Sequence, residues 1–225
     1  LELNLVGKGR LTKFPDGTAT ASLSRLNLRR NQIDDGTVSD WLQTGAFSPT
    51  KYLNLGWNKI SSKGATALAR SPMLLGLEQL ILDSNSISNE GANAIAQSKH
   101  LGSLTVLELH DNNYNQTTAQ ALMDLRIRIL IKRHLSGTEL NLNGKQLENK
   151  GLKALARSDL LIGIETLSLR NNHFDHVGLE ALSQSKYLSS LKSLNVMNNS
   201  IANKGAMILG ESEVFSGLKS LNLEN

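Results

Sequence analysis

The sequence predicts an α/β protein: a right-handed, curved solenoid shaped like a horseshoe, with a parallel sheet on its concave side, short helices on its convex side, and about 8–9 repeats of 27 residues. Three observations carry that expectation. The pattern Leu-x-Leu/Val, two residues, then a polar marker recurs along the chain, and the markers Asn31, Asn58, Asn85 and Asn112, then Lys145, Asn172 and Asn199, are spaced by 27 residues except for one step lengthened by six. Each copy continues through Ile, Gly, a small Ala-Leu-Ala run, Ser and Leu at fixed offsets, as in Leu77, Leu80, Leu82, Asn85, Ile87, Gly91, Ala94–Ala96, Ser98 and Leu101. Hydrophobic residues make up 40% of the chain, enough for a core, while only 4% are aromatic.

Each fixed position has a physical reason. The alternation in Leu80-x-Leu82 has the period of two of a short strand with one buried face. The Asn that follows stands where the chain must turn, and its amide can satisfy turn backbone in its own and the neighbouring repeat. A column of Asn31, Asn58, Asn85, Asn112, Asn172 and Asn199 is therefore expected to form a structural ladder. Gly91 with Ala94, Ile95 and Ala96, and equally Gly64 with Ala67–Ala69 and Gly151 with Ala154–Ala156, reads as a short helix whose small side chains permit close packing. No repeat can bury its leucines alone, so the core is expected to exist only through stacking. Tyr114 and Phe174 fall at the Ile position and Trp41 at that of Leu68, so all three are expected in the core.

Leucine spacing at this period resembles that of leucine-rich repeats, and the N-x-I-x-x-x-G-x-x-A-L-A version is similar to the ribonuclease-inhibitor-like subclass found in bacterial proteins, including effectors delivered into host cells. The resemblance covers almost the whole chain. It implies a protein-binding array, and the effector analogy brings virulence and host–pathogen interaction with it. The chain has no Cys. That departs from the cysteine-rich inhibitors and from extracellular repeats with disulfide-bonded caps, so an intracellular setting is expected: the bacterial cytoplasm, or host cytosol for a secreted effector.

Organisation is expected to be one repeat domain over 1–225, with sub-arrays 1–116 and 139–225 joined by an irregular expanded repeat at 117–138. Glu2-Leu3-Asn4-Leu5-Val6-Gly7-Lys8 is echoed by Glu139-Leu140-Asn141-Leu142-Asn143-Gly144-Lys145. Both ends fall inside strand segments without polar caps, so a fragment of a longer protein is expected. Residues 121–134 read as helix in their first half, but Arg126–Lys132 also alternates with period two. Its basic residues suit either a solvated helix edge or an acidic partner. No apolar stretch reaches the roughly 18 residues that cross a membrane.

The variable strand positions, numbered 3, 5, 7 and 8 of each repeat, are expected to project in rows on the concave face. They are Arg25, Asn27, Arg29 and Arg30; Tyr52, Asn54, Gly56 and Trp57; Gln79, Ile81, Asp83 and Ser84; Val106, Glu108, His110 and Asp111. The later repeats offer small, nearly neutral residues there. The candidate partner-binding set is Arg25, Asn27, Arg29, Arg30, Tyr52, Asn54, Trp57, Ile81, Asp83, Glu108, His110 and Asp111, because Trp, Tyr and Arg dominate binding energies. Arg29 and Arg30 can instead pair with Asp83.

Catalytic chemistry finds little to work with. A cysteine nucleophile, a G-x-S-x-G elbow and a complete phosphate loop are all missing from the sequence. His173-Phe174-Asp175-His176 has two potential ligands, short of the four a metal site needs, and His110 beside Asp111 is a weak acid/base pair. The net charge of +4 comes from 24 basic and 20 acidic residues that are interspersed, which disfavours nucleic acid. The sequence thus points to a non-catalytic module that binds a protein, with no cofactor, metal or small-molecule substrate. Two alternatives stand beside it: a substrate-recognition arm for a ubiquitin-ligase-like enzyme elsewhere in a longer chain, and a protein inhibitor of an enzyme.

Overall fold

The computed structural model describes residues 1–11 and 23–224. The chain packs as two compact units, Leu1–Leu122 and Met123–Asn225. In unit 1, strands β1 (Glu2–Asn4), β2 (Arg25–Asn27), β3 (Tyr52–Asn54), β4 (Gln79–Ile81) and β5 (Val106–Glu108) form a parallel sheet in sequence order. Helices α1 (Asp35–Gln43), α2 (Ser62–Arg70) and α3 (Asn89–Ala96) alternate with the strands. Helix α4 (Gln116–His134) crosses the boundary between the units. Unit 2 opens with β6 (Leu135–Ser136), antiparallel to β7 (Glu139–Asn141), and continues through parallel β8 (Thr166–Ser168), β9 (Ser193–Asn195) and β10 (Ser220–Asn222). Its helices are α5 (Glu148–Ala156), α6 (His176–Ser183) and α7 (Ala202–Glu211).

The parallel strands are three residues long, and each places one leucine inward between two residues of the open face. Leu26, Leu53 and Leu80 stand in register on adjacent strands, and each is fully buried together with Leu28, Leu55 and Leu82 two residues later. Each such side chain contributes about 2 kcal/mol by leaving water. Trp41 and Phe174 are buried as their positions predict, with Trp41 edge-on to Phe47 at 6.0 Å. Tyr114 departs from that expectation: it is half-buried, because its hydroxyl turns back to donate to the Leu109 carbonyl at 3.1 Å. Burial first, and then the nearby Asp111 carboxylate, push its phenol above the ordinary range.

Helices of 8 to 10 residues are marginal alone, and neighbours supply their ends. Asp35 Oδ1, from the first turn of α1, accepts the Ser61 and Gly64 backbone N–H groups at 2.8 and 2.9 Å, capping α2. In unit 2, Asn149 Oδ1 does the same for Asp175 and Gly178 at 3.0 and 3.1 Å. Asp34 caps α1 itself through Thr37, and those hydrogen bonds hold its carboxyl below the usual value. Gly91 permits close helix approach, since a Cβ there would overlap the Ser62 backbone.

Most of the expanded segment 117–138 is taken up by the 19-residue helix α4. Its alternating half, Arg126–Lys132, stays in α4, because Ile127 and Ile131 lie one helical turn apart on the face that enters the core of unit 2. The alternating pattern finds no sheet edge to join, and only Leu135–Ser136 pairs as strand.

Asparagine side chains join the repeats. Asn85 Oδ1 accepts the Ile60 N–H of the preceding repeat at 3.0 Å, while its Nδ2 donates to the carbonyls of Leu55 and Leu82, both at 3.0 Å. Asn31, Asn58 and Asn112 in unit 1, and Asn172 and Asn199 in unit 2, repeat this arrangement. Serines form a second series: Ser98, Ser185 and Ser212 donate to the carbonyls of Ala69, Ala156 and Ser183 in the repeats before them. The echoed Gly-Lys motifs occupy equivalent places. Lys8 N–H donates to Asn31 Oδ1 at 2.7 Å and Lys145 N–H to Asn172 Oδ1 at 2.9 Å, so each lysine receives a rung and offers no amide of its own.

Asn85→Ala removes the partners of the Ile60 N–H and of two buried carbonyls, which is expected to cost about 3 kcal/mol. Urea unfolding checks the loss, and amide hydrogen exchange is expected to accelerate first at Ile60.

Candidate functional site

Strand register fixes which variable side chains are neighbours. Along position 3 stand Glu2, Arg25, Tyr52, Gln79 and Val106, and along position 5 stand Asn4, Asn27, Asn54, Ile81 and Glu108. At position 8, wherever that residue is described, the repeat turns through left-handed backbone: φ is 67° at Gly7, 59° at Arg30, 56° at Trp57, 51° at Ser84 and 54° at Asp111, and in unit 2 it is 65° at Gly144, 58° at Asn171 and 53° at Asn198. Gly and Asn adopt that conformation at little cost, whereas a bulky side chain does so reluctantly. Gly7 and Gly144 at the same position are the sequence signal for this conformation, one that the alternation of leucines does not carry.

Position 7 holds an ion pair that spans two repeats. Arg29 Nη1 lies 3.2 Å from Asp83 Oδ2 and 3.4 Å from Oδ1, reaching across the intervening strand. Gly56 makes this possible: a Cβ there would overlap Asp83 Oδ1 and come within 3.2 Å of Arg29 Nη1. His110 Nε2 approaches the same carboxylate at 4.0 Å from the far side. The pairing of Arg29 with Asp83 across strands is thus present, but Arg30 takes no part in it. What sequence reasoning missed is Gly56, and its signal was a glycine standing in line between an arginine and an aspartate 54 residues apart.

Two members of the candidate set are buried by these contacts. Asp83 is only 3% exposed, with Arg29 and His110 beside its carboxylate. Asn54 is buried as well, with Oδ1 accepting the Gly56 N–H at 2.9 Å and Nδ2 donating to the Tyr52 hydroxyl at 3.3 Å. Arg25, Arg30, Trp57, Glu108, His110 and Asp111 are exposed, and Asn27, Arg29, Tyr52 and Ile81 are half-buried.

Cations stack on both aromatic rings. The Arg25 guanidinium lies 4.0 Å from the centre of the Tyr52 ring, and Arg30 and Arg29 lie 4.7 and 5.6 Å from the Trp57 ring. Trp57 remains 47% exposed. Each stacked cation at such exposed sites contributes about 0.5–1 kcal/mol. The face is therefore a set of flat, oriented groups: arginines from β2 and aromatics from β3, then Ile81 from β4, then the acids Glu108 from β5 and Asp111 just beyond it.

Asp83, Glu108 and His110 each offer one ligand atom within 4.8 Å of the others, the one such group of three among the described residues. A cation there would have to displace Arg29 from Asp83. His173 and His176 gain no third ligand, since Phe174 between them is fully buried and Asp175 caps α6 through the Val177 N–H at 2.7 Å. In unit 2 position 7 is occupied differently: Asn143 Oδ1 accepts from Ser168 Oγ and the Arg170 N–H, both at 2.8 Å. On α4, Arg126 donates to the Lys145 carbonyl at 2.8 Å, and burial first, then Lys145 and Arg133, hold His134 below its ordinary pKa.

Three segments, residues 51–69, 77–96 and 187–210, match the leucine-rich repeat family model. A comparison with curated proteins found no match. Among solved structures, an internalin (InlF) from Listeria monocytogenes is similar at 18% identity with a TM-score of 0.41, over 100% of this chain and 61% of the internalin chain. A plant peptide hormone receptor, RGFR1 in complex with RGF2, is similar at 18% identity with a TM-score of 0.25, over 90% of this chain and 24% of the receptor chain. The chain thus spans less than two thirds of either structure. No helix among the described residues is long and apolar enough to cross a membrane.

Arg29→Leu strands the buried Asp83 carboxylate and is expected to cost about 2 kcal/mol, less than for a fully buried pair because Arg29 is 32% exposed. Gly56→Ala, which forces the pair apart, is expected to cost about 1–3 kcal/mol. The double variant Arg29→Leu, Asp83→Leu removes both charges and is expected to recover most of the loss in urea denaturation.

Proposed function

We propose that this array of leucine-rich repeats is a non-catalytic module that binds a partner protein through the concave face of its curved sheet, in the intracellular setting of a bacterial effector whose targeting part it forms. Leucine-rich repeats are in general protein-interaction modules, and repeat arrays present extended faces whose side chains vary over an unchanged core. The effector role rests on the resemblance of the repeat pattern to the bacterial ribonuclease-inhibitor-like type.

One observation carries the reading. Trp57 occupies a left-handed backbone position, half-exposed, where four other repeats place Gly or Asn and three place Arg, Ser or Asp. A bulky residue in this conformation costs about 1 kcal/mol, and its exposed ring gains nothing from the core. Tryptophan is among the side chains most enriched at the centres of interfaces. Arg29 and Arg30 stack on the ring and hold it in place, so little side-chain freedom is left to lose on binding.

Trp57→Asn separates the two roles, since Asn171 and Asn198 already fill this position in unit 2. Relief of the backbone offsets loss of the stacked cations, and stability is expected to change by less than about 1 kcal/mol. Capture from host-cell and bacterial lysates, read by mass spectrometry, is expected to weaken at least tenfold for the partner that the wild-type chain retains. Equal capture by both forms would remove the concave face from the reading. Arg29→Glu is unsuitable here, because it places a second carboxylate on buried Asp83 and disturbs the fold as well as the face.

A further inference from the structure

We infer that the open face of unit 1 recognises a polypeptide segment with a carboxylate at one end, apolar side chains in its middle and a Lys or Arg at the other end. This deepens the reading above and rests on it. The argument is one of which charges are already matched. Arg25 pairs with Glu2 at 3.8 Å, and Arg29 is held by Asp83 with His110 beside it. Three charged groups of the face form no ion pair among the described residues: Arg30 on the β2 side, and Glu108, which has His110 within 4.8 Å, and Asp111 on the β5 side. The Arg30 guanidinium stacks on the Trp57 ring, the Glu108 side chain is exposed, and the Asp111 carboxylate accepts a long bond of 3.4 Å from the Ser84 hydroxyl.

Between these ends lie the apolar surfaces of β3 and β4: the exposed Trp57 ring and the half-buried Tyr52 and Ile81. The face therefore reads cation, aromatic, aliphatic, anion across successive strands. Opposite charge patterns attract a partner and fix its register, while a like charge at either end repels it. Three strand spacings separate β2 from β5, roughly 14 Å, so the two charges of the segment stand about that far apart. In an extended peptide that is about four residues, at roughly 3.3 Å each. A segment of uniform sign meets repulsion at one end of the face, and a purely apolar one leaves Arg30, Glu108 and Asp111 unmatched.

The test pans a random peptide library on the whole chain, with counter-selection on the Trp57→Asn variant. Peptides enriched on the wild type are expected to carry an acidic and a basic residue about four positions apart, with apolar residues between them. Their affinity is expected to fall at least tenfold for Arg30→Glu and for the Glu108→Lys, Asp111→Lys double variant, and to fall as ionic strength rises. Replacing the peptide's acidic residue by Lys is expected to restore binding to Arg30→Glu. Enriched peptides of a single sign, or ones that lose Trp57→Asn but bind Arg30→Glu unchanged, overturn the charge complementarity while leaving the face as a binding site. If no peptide prefers wild type over Trp57→Asn, the functional reading of the face fails and this inference with it. Concentration-dependent self-association abolished by Arg30→Glu overturns the inference in favour of a second copy of the chain.

Discussion

A strand of three residues brings one buried leucine and three backbone units, far too little to stand alone, and the asparagine amide is what joins such strands. Its oxygen takes an N–H from the repeat before it, and its nitrogen serves carbonyls of both repeats, as Asn85 does for Ile60, Leu55 and Leu82. An amide is suited to this because it is donor and acceptor at once without charge. Lys8 and Lys145 show the converse: their backbone N–H groups receive the next rung, and their side chains have no amide to extend the series backwards. Stability is then a sum of neighbour terms rather than the property of one centre.

That joint also dictates what the open face can be. To bring the amide inward, the residue before it turns through left-handed backbone, as φ above 50° at Arg30, Trp57, Ser84 and Asp111 shows. Positions 3, 5 and 7 alternate with the buried leucines, and position 8 follows on the turn. Most of these residues stay outside the hydrophobic core and can change without repacking it, the buried Asn54, Gly56 and Asp83 excepted. In unit 1 they have become a charged and aromatic surface, while in unit 2 the same positions hold mainly Asn, Ser and Thr that bond to one another or to backbone. The two units share a scaffold and differ in how many chemically active groups they display.

The repeat period, the strand and helix positions and the asparagine series were legible because each depends on local pattern repeated many times. Tyr114 escaped that logic, since its hydroxyl needs a partner that the Ile it replaces does not, and it finds one at the Leu109 carbonyl. The alternation in Arg126–Lys132 was ambiguous because two buried isoleucines four residues apart satisfy both periods, and only the core they enter decides between them. Burial of Asp83 and Asn54 was not legible from position numbers. Asp83 depends on what the neighbouring repeat leaves empty, and the empty place is Gly56, while Asn54 bonds the Gly56 N–H of its own repeat.

Gly56 therefore does more than widen a gap. By admitting Arg29 to Asp83 it removes one cation and one anion from the surface and fixes the Arg29 side chain beside Trp57. Arg30, the next residue, reaches the same ring at 4.7 Å and forms no ion pair among the described residues. A larger residue at 56 would leave Arg29 free to compete with Arg30 for the same carboxylate of a partner, and Trp57 would lose one of the two groups that orient it. The glycine thus sets which arginine is structural and which is presented, a division that no single repeat contains and that arises only from three of them in register.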